Sequence, residues 1–454
     1  MNRKTGGSAE TIVAAATAPG HGAIGIIRFS GPQAAAIGRK ITGIDLLPRH
    51  AHYARFRDAA GDVIDEGLAL HFPAPHSYTG EDMLELQTHG NPVILGRIAT
   101  AAVCLGARPA RPGEFTERAF LNGRLDLTQA EAVADLIGSQ SAAGVRSALA
   151  SLQGEFSAHV RSLSERLRRQ RVEMEAMLDF SEDDVNPGTW TGQREATRNL
   201  VHGMDEILAN CRRGVLFTEG LKVAILGRPN AGKSSLFNRL LSESRAIVNE
   251  TPGTTRDILR AEMQIGGVPM TLVDTAGLRG PAQGVDAIEQ EGMRRAREAL
   301  AWADHVLLVI PWGESLNEED QEVLVHRPAG AQVTFVRSKI DRVEVAAAEC
   351  DAEQGREVWL SAVTGAGMDL LERRLLPVQE QNSGTYTARR RHVIGLETAR
   401  AHVSEAERLL AENAPTELAA EQLRLAGRQL DQITGEYTTE ELLGDIFRRF
   451  CVGK

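Results

Sequence analysis

The sequence predicts a multidomain chain: an N-terminal α+β domain, then a helical domain into which a doubly wound α/β domain is inserted. Three observations predict this fold class. The chain has 454 residues, more than one hydrophobic core usually organises. Long amphipathic helical stretches flank a central region where apolar strands alternate with helices. That central region opens with a glycine-rich loop between a strand and a helix.

The N-terminal region shows strand patterns followed by a helix. Residues 11–29 alternate small apolar residues with glycine and end in GAIGIIRF. Strand patterns recur around 67–72 and 82–88, and a helical pattern covers 93–105. We expect residues 1–121 to form one compact α+β domain.

The rest of the chain divides into a helical domain and its insertion. From Asp126 to about Ala209 the pattern is that of continuous amphipathic helix, with one break at Asn186-Pro187-Gly188. Helix returns from about Arg391 after a polar linker. The predicted segments are residues 1–121, residues 122–213 and 379–454 for the two parts of the helical domain, and residues 214–378 for the α/β domain.

Composition limits the environment and the partners. The formal net charge of −10 argues against bulk electrostatic capture of nucleic acid, so an RNA contact needs a local basic patch. The four cysteines, at 104, 211, 350 and 451, have no disulfide or zinc spacing, which favours a reducing compartment. We see no signal peptide and no run apolar enough to span a bilayer, so we expect a cytoplasmic protein without a membrane partner.

The segment Leu221–Leu236 reads LKVAILGRPNAGKSSL and fits the phosphate-binding pattern G-x-x-x-x-G-K-[ST]. Gly227 and Gly232 allow the backbone to turn tightly around phosphates. Lys233 can reach the β- and γ-phosphates, and the Ser234 hydroxyl can bind Mg²⁺. The strand–loop–helix context favours a triphosphate site over a chance glycine-rich turn. The predicted contacts here are Asn230, Ala231, Gly232, Lys233, Ser234 and Ser235.

Further short motifs follow in the order typical of a Ras-like GTPase. Asp274-Thr275-Ala276-Gly277 follows the strand MTLV, where Asp274 can hold Mg²⁺ through water and Gly277 can sense the γ-phosphate. Thr255, in the segment PGTTRD, can close over the Mg²⁺ ion and the γ-phosphate as a switch. Ser338-Lys339-Ile340-Asp341 follows VTFV, and Asp341 can accept both guanine N–H donors. The residues Ser361, Ala362 and Val363 follow VWL and can contact the base from its other side.

Two positions depart from the usual GTPase pattern. Most such GTPases recognise guanine through the motif N-K-x-D, and here Ser338 replaces its asparagine. Because an amide tether is lost, we expect lower nucleotide affinity. Lys339 and Asp341 remain, so we expect guanine specificity to be retained. Leu278 stands where Ras-like enzymes keep a water-positioning glutamine, so the attacking water needs another orienting group.

The chain resembles, along essentially its whole length, the MnmE (TrmE) family of tRNA modification GTPases. The central domain carries GRPNAGKSS, GTTRD and DTAGLR. The N-terminal domain carries GHGAIGIIRFSG, SYTGEDMLELQTHGNPV and ARPGEFTERAFLNGRLDLTQAEA, and the chain ends in CVGK, matching the family's C-x-G-K terminus. Other GTPases that share the central motifs lack these flanks.

For the nucleotide site, the resemblance implies hydrolysis of GTP with K⁺ in place of an arginine finger. Ser234 and Thr255 correspond to Mg²⁺ ligands, and Asn230 to a side-chain ligand of K⁺. Glu289 corresponds to the water-orienting glutamate, with Asp286 as a second candidate and a solvated helix charge as the alternative. The corresponding K⁺ loop, which also contacts the nucleotide, comprises Asn249, Glu250, Thr251, Pro252, Gly253 and Thr254, with Asn249, Thr251 and Thr254 as candidate ligands.

For the N-terminal domain, the resemblance implies a tetrahydrofolate site and a constitutive dimer interface. Arg28, Glu85, Arg124 and Lys454 match its positions, with Arg124 where the family usually has lysine. Cys451 is the candidate thiol for catalysis, and Lys454 would favour its thiolate if the two side chains approach. The alternatives are a surface ion pair for each arginine and a small buried hydrophobe in a final helix for Cys451.

The resemblance implies that the chain is a homodimeric, K⁺-dependent GTPase acting in (carboxymethyl)aminomethyl modification of the tRNA wobble uridine at C5. It implies a FAD-dependent partner, MnmG, in a heterotetramer or larger complex, and a carbon from 5,10-methylene- or 5-formyl-tetrahydrofolate. A regulatory GTPase that binds RNA or ribosomes without modifying them is the alternative. A structural module with a dead nucleotide site disagrees with the presence of Lys233, Ser234, Thr255 and Asp274.

Overall fold

The computed structural model describes residues 10–139, 141–178, 187–243, 259–274, 300–328, 330–352, 355–376, 386–437, 439–448 and 450–453. The chain forms two compact units. The first comprises Met1–Ile137, Ser151–Glu206 and Ile394–Lys454, and the second comprises Gly138–Ala150 and Ile207–Val393. The predicted fold class is confirmed by these units and by the elements below, whereas the domain boundaries stay predictions.

The first unit contains a six-stranded sheet of order β3-β4-β5-β2-β1-β6, in which only the short β1–β6 pair is parallel. Ile27 and Phe29 of β2 and Leu84 and Leu86 of β5 are fully buried in the core beneath the helices α1 and α2. The strands are β1 (Ile12–Ala15), β2 (Gly22–Ser30), β3 (His52–Arg57), β4 (Val63–Phe72), β5 (Met83–Gly90) and β6 (Arg108–Pro109), and the helices are α1 (Ala34–Thr42) and α2 (Pro92–Cys104).

Strand alternation decides where the candidate site of the first unit lies. Successive side chains of a strand point to opposite faces of the sheet. Because Ile27 and Phe29 face the core, Arg28 must point to the other face. Arg28 and Glu85 are directly opposite each other in the antiparallel register of β2 and β5, so both lie on that face.

Helices make up most of the described chain on either side of the second sheet. They are α3 (Glu114–Leu121), α4 (Leu127–Gly138), α5 (Ala142–Leu152), α6 (Glu155–Leu178), α7 (Pro187–Thr218), α11 (Arg390–Ala411), α12 (Thr416–Thr434) and α13 (Glu440–Phe447). In the first unit α6 packs along α12. Within the part of the chain that the structure covers, no helix combines the length and the apolar character that crossing a bilayer requires.

The prediction of continuous helix from Asp126 to the break at Asn186-Pro187-Gly188 is wrong. The helix is interrupted twice before that point, between Gly138 and Ala142 and between Leu152 and Glu155. At the first interruption the Ser141 hydroxyl accepts a hydrogen bond from the Gly144 amide at 3.0 Å, which starts a new helix. At the second, Gly154 has φ = +90°, a conformation that ends a helix and suits glycine.

The second unit is built on a seven-stranded sheet of order β12-β13-β11-β10-β7-β9-β8. Its five central strands are parallel, and β8 and β12 are antiparallel at the two edges. The strands are β7 (Leu221–Leu226), β8 (Leu259–Ile265), β9 (Val268–Asp274), β10 (His305–Pro311), β11 (Gln332–Ser338), β12 (Ala348–Ala352) and β13 (Gly355–Trp359), and the helices α8 (Lys233–Glu243), α9 (Glu318–Val325) and α10 (Met368–Leu375).

Both faces of this sheet are buried. Val223 and Ile225 of β7 belong to one apolar core, and the intervening Ala224 and Leu226 belong to another. This explains the continuous apolar runs that the sequence shows in the strands. Because β7, β9, β11 and β13 are parallel, their carboxyl ends share one edge, where ligands bind in open α/β sheets.

Candidate functional site

The phosphate-binding loop begins directly after β7. Gly227 has φ = +138°, and a Cβ at this position would lie 2.2 Å from the Val309 carbonyl oxygen, so only glycine fits. Asn230 and Gly232 also have positive φ, at 61° and 104°. The chain therefore curls back on itself before α8 starts at Lys233.

Lys233 lies inside this loop. Its side chain is buried, and Nζ donates hydrogen bonds to the carbonyls of Gly227 at 2.6 Å and Arg228 at 2.7 Å. Ser234 and Ser235 are exposed in the first turn of α8. The loop thus places an ammonium group, two hydroxyls and a helix N-terminus together, which suits a bound phosphate chain and its Mg²⁺.

The loop predicted to recognise guanine, residues 338–341, is tied to the phosphate-binding loop by hydrogen bonds. The Ser338 hydroxyl donates to the Ala231 carbonyl at 2.6 Å, and both residues are buried. Lys339, in a left-handed conformation, donates from Nζ to the Asn230 carbonyl. A hydroxyl tether therefore stands where the sequence indicated only the loss of an amide tether.

The residues expected around the base lie at the ends of neighbouring strands. Asp341 is exposed in a short 3-10 turn, Ile340–Arg342. After β13, Ser361 is buried and its Oγ accepts from the Thr364 amide at 3.2 Å. Ala362 is half-buried, and Val363 is 74% exposed. A turn held by Ser361 thus presents an apolar side chain to solvent beside the carboxyl edge of the sheet.

Asp274 is the last residue of β9 and pairs with Ile225 in the parallel register of β7 and β9. Its backbone is therefore brought next to the strand that leads into the phosphate-binding loop. Other predicted residues lie outside the described part of the chain: Asn249, Glu250, Thr251, Pro252, Gly253, Thr254, Thr255, Thr275, Ala276, Gly277, Leu278, Asp286, Glu289 and Lys454.

Sequence patterns did not identify one anchor of the phosphate-binding loop. Arg228 donates from Nε to Asp320 at 3.1 Å and from Nη1 to Glu314 at 3.0 Å. Asp320 is 2% exposed, and it also forms a capping box with Asn317 at the start of α9. The N-x-x-D pattern in the sequence could have predicted the capping box. It could not have predicted the bond from Asp320 to Arg228, because these two residues are 92 positions apart.

Arg28 and Glu85 form an ion pair in the first unit. Their Nε and Oε1 atoms lie 2.9 Å apart, with 23% and 17% of the two side chains exposed. The guanidinium carbon is 5.7 Å from the ring centroid of Tyr78 and 5.9 Å from that of Phe115. Burial raises the pKa of Tyr78, whose hydroxyl shares a hydrogen bond of 2.9 Å with Thr116.

The C-terminal tail packs beside this ion pair. The Gly453 carbonyl accepts from Arg28 Nη1 at 3.5 Å, and a Cβ at Gly453 would lie 2.0 Å from the Ala15 carbonyl oxygen. The Cys451 carbonyl accepts from the Gly113 amide at 3.3 Å. The structure therefore brings together Arg28, Glu85 and the tail that carries Cys451.

The alternative of Cys451 as a buried residue of a final helix is wrong. The last helix ends at Phe447, and Cys451 follows it with an exposed side chain. The buried apolar positions are instead Phe447 and Phe450, whose rings lie 5.4 Å apart. The backbone of Cys451 is thus held in place while its thiol faces solvent.

Arg124 is placed differently. Its side chain is exposed and approaches Gly80, and its amide donates to the Ala119 carbonyl at 2.8 Å. No hydrogen bond or ion pair found among residues 10–139 joins Arg124 to Arg28 or Glu85.

A buried polar network supports the sheet next to Arg28. Arg118 donates to Glu81 at 2.8 Å and to Glu114 at 3.2 Å, and Ser30 donates to Glu81 at 2.8 Å. Burial opposes ionisation of Glu114, but hydrogen bonds from Arg108 lower its pKa to about 2. The network fixes α3 against β2, and its links from Glu81 to Arg118 and to Ser30 span too many residues to form a local pattern.

Side-chain clusters that could hold a metal ion through three or more His, Cys, Asp or Glu residues are absent from the described ranges. Ser234, exposed at the start of α8, offers a hydroxyl that could bind Mg²⁺ together with phosphate and water oxygens.

Comparison with known proteins identifies the family. Residues 127–451 match the model of the MnmE helical domain, and residues 11–124 match that of the GTP-binding protein TrmE N-terminus. A protein of Nitrosococcus oceani named tRNA modification GTPase MnmE is 47% identical, over 98% of this chain and 97% of its own length. Proteins of the same name from Hydrogenovibrio crunogenus and Acidovorax sp. are 46% and 45% identical, over 98% of this chain and 99% of theirs. The chain therefore belongs to the MnmE (TrmE) family of tRNA modification GTPases.

Proposed function

We propose that this protein hydrolyses GTP and uses the hydrolysis cycle in C5 modification of the wobble uridine of tRNA. The observation that carries the proposal is the joint occurrence of two features in one chain. One is the hydrogen bond through which Ser338 ties the loop predicted to recognise guanine to the phosphate-binding loop. The other is the sequence identity of 45–47% to tRNA modification GTPases along 98% of the chain. A triphosphate site alone would support only a GTPase of unspecified purpose.

The residues of the second unit would divide the work on GTP. Lys233, whose Nζ now bonds the Gly227 and Arg228 carbonyls, would turn to the β- and γ-phosphates. Ser234 and Thr255 would hold Mg²⁺. Asp341 would accept from the guanine N–H groups, and Ser338 would keep the two loops in register. Hydrolysis would drive a domain rearrangement, while the modifying atoms come from elsewhere.

We propose that K⁺ takes the place of an arginine finger. Asn230 is exposed at positive φ at the tip of the phosphate-binding loop, where its side chain can reach a cation beside the phosphates. Together with the loop 249–254 it would hold K⁺, which supplies positive charge against the negative charge of the transition state. Glu289 would orient the attacking water, since Leu278 cannot.

We propose that the Arg28–Glu85 face and the C-terminal tail bind a one-carbon tetrahydrofolate, either the 5,10-methylene or the 5-formyl form. The residues present suit such a ligand. Glu85 can accept from the donor edge of a pterin, the guanidinium of Arg28 can pair with a carboxylate, and Tyr78 and Phe115 provide ring surfaces nearby. Arg124 and Lys454 are further candidate contacts. The exposed thiol of Cys451 would act at this site.

The expected assembly is a homodimer that works in the cytoplasm with the FAD-dependent protein MnmG and with tRNA. The proposal is tested by nucleoside analysis of tRNA from a strain in which the gene is deleted. Loss of the C5-modified wobble uridine, restored by the wild-type gene and not by Lys233→Ala, is the expected result. Unchanged modification in the deletion strain would contradict the proposal and favour a regulatory GTPase that binds RNA or ribosomes.

A further inference from the structure

A cavity of about 490 Å³ lies in the first unit between α6 and α12. None of its lining residues belongs to the GTP site or to the Arg28–Glu85 site. Four arginines line it: Arg168 and Arg171 from α6, and Arg424 and Arg428 from α12. A single carboxylate, that of Asp431, faces them in the lining. We call this cavity the arginine groove.

Helix packing explains why the groove is open and why the arginines meet there. Leu167 of α6 packs against Gly427 of α12, where a Cβ would lie 3.4 Å from the leucine Cδ2. A glycine at the contact leaves space that a larger side chain would fill. The arginines are three apart on α6 and four apart on α12, so each pair lies on one face of its helix.

The guanidinium groups of Arg168 and Arg171 have weak partners. Arg168 pairs with Glu165 at 3.2 Å and Arg171 with Glu175 at 3.4 Å, and the exposed fractions of the two glutamates are 59% and 52%. Arg424 is held more firmly, by two hydrogen bonds of 2.6 and 2.5 Å to Glu421 on its own helix. Exposed pairs such as those of Arg168 and Arg171 contribute little free energy, so these two arginines can exchange them for a ligand.

Arginines outnumber carboxylates four to one in the lining of the groove, and two glutamates interact with lining residues from nearby: Glu421 with Arg424 and Arg428, and Glu436 with Asp431. Arg428 is exposed and makes no hydrogen bond or ion pair with residues 10–139, 141–178 or the other described ranges. Burial and the charge of Glu436 raise the pKa of Asp431, while the charges of Arg168 and Arg171 lower it. The two arginines of α6 therefore act on the same space as Asp431. Tyr437, also in the lining, is 63% exposed.

We propose that the arginine groove binds the phosphodiester backbone of the RNA on which the protein acts, with Tyr437 stacking on an adjacent base. The inference rests on the proposed function, which supplies an RNA substrate. A guanidinium fork matches phosphate oxygens, and an exposed aromatic ring accepts any base. A chain with net charge −10 also needs a local basic site to hold RNA.

The test is binding of an unmodified tRNA transcript to the full-length protein across a salt series from about 50 to 200 mM. In Arg168→Gln/Arg428→Gln, loss of two phosphate contacts should lower the slope of log K against log salt by roughly 1.4–1.8. The same relation gives binding about 25–60-fold weaker near 0.1 M salt. Arg168→Lys/Arg428→Lys should retain most of the slope because the charge remains.

Matched control variants distinguish tRNA binding at the arginine groove from a general effect of positive surface charge. Arg408→Gln/Arg373→Gln removes the same charge from two exposed, ion-paired arginines outside the groove and should leave tRNA affinity within about twofold of the wild type. Tyr437→Ala should weaken binding by about fivefold or more, and Tyr437→Phe should not. Should the double Gln variant fail to fold, Arg428→Gln alone is expected to give half the change in slope.

Wild-type tRNA affinity and salt slope in the Gln variants would overturn the inference. It would also be overturned if those variants bound tRNA normally but lost an acidic protein partner, because the groove would then be a protein interface. The proposed function fails separately, if the deletion strain keeps its modified uridine although tRNA binding depends on the groove.

Discussion

Replacing Ser338 by alanine tests whether the hydroxyl tether supports nucleotide binding. The Ser338 side chain is 4% exposed, its Oγ lies 2.6 Å from the Ala231 carbonyl oxygen, and that residue is fully buried. Alanine would leave this carbonyl without its donor, which costs about 1–3 kcal/mol. Ala231 lies between Asn230 and Gly232, inside the phosphate-binding loop. Part of the free-energy cost should therefore appear as a smaller fraction of molecules whose loop has the conformation that binds nucleotide.

We therefore expect GTP and GDP to bind about 5- to 50-fold more weakly to Ser338→Ala. Isothermal titration or fluorescent-nucleotide titration measures this directly. Ser338→Thr keeps the hydroxyl and suits a strand, so it should retain most of the affinity. Ser242→Ala removes an exposed serine hydroxyl of α8 and serves as the control. Nucleotide affinity within twofold of the wild type in Ser338→Ala, with only a lower unfolding temperature, would show that the hydroxyl stabilises the fold without supporting nucleotide binding.

The other predictions concern the base, the cation, the thiol and the water-orienting glutamate. Asp341→Asn should weaken GTP binding and improve binding of xanthosine triphosphate, because an acceptor becomes a donor; equal affinity of the wild type for ATP and GTP would contradict the assignment. The GTPase rate should be at least about tenfold higher in K⁺ than in Na⁺, and Asn230→Ala should remove the difference; a rate indifferent to K⁺ would refute the cation mechanism. Cys451→Ser should abolish the modified uridine while K⁺-stimulated GTP hydrolysis stays near wild type, and Glu289→Ala should abolish hydrolysis; normal modification by Cys451→Ser would make the thiol structural.

Local patterns predicted most of the second unit. Its sheet is buried on both faces, so its strands appear in the sequence as continuous apolar runs, and each motif directly follows such a run. The ends of β7, β9, β11 and β13 lie at one edge, as parallel strands require. The strand β3 was not predicted, although Ala54 and Phe56 alternate with exposed residues. Arg55 and Arg57 weaken the apolar signal there.

Features that depend on distant residues could not be predicted in this way. The bond from Ser338 to Ala231 spans 107 residues, and the contact of Arg28 with Gly453 spans 425. Helix periodicity also hid the interruption at Gly154, because a single glycine changes the backbone without changing the apolar pattern on either side. The exposed thiol of Cys451 follows from the burial of Phe447 and Phe450, which no spacing rule specifies.

The proposed function joins GTP hydrolysis and a folate-borne carbon in the modification of tRNA. The most direct test combines the protein, the flavoprotein partner, GTP, K⁺, tRNA, an amine donor (glycine or ammonium) and methylene-tetrahydrofolate labelled in its one-carbon unit. We predict label in the substituent carbon bonded to C5 of the wobble uridine, dependent on GTP and lost with Lys233→Ala or Cys451→Ser. Modified uridine that forms without label, or that forms equally without GTP, would contradict the claim.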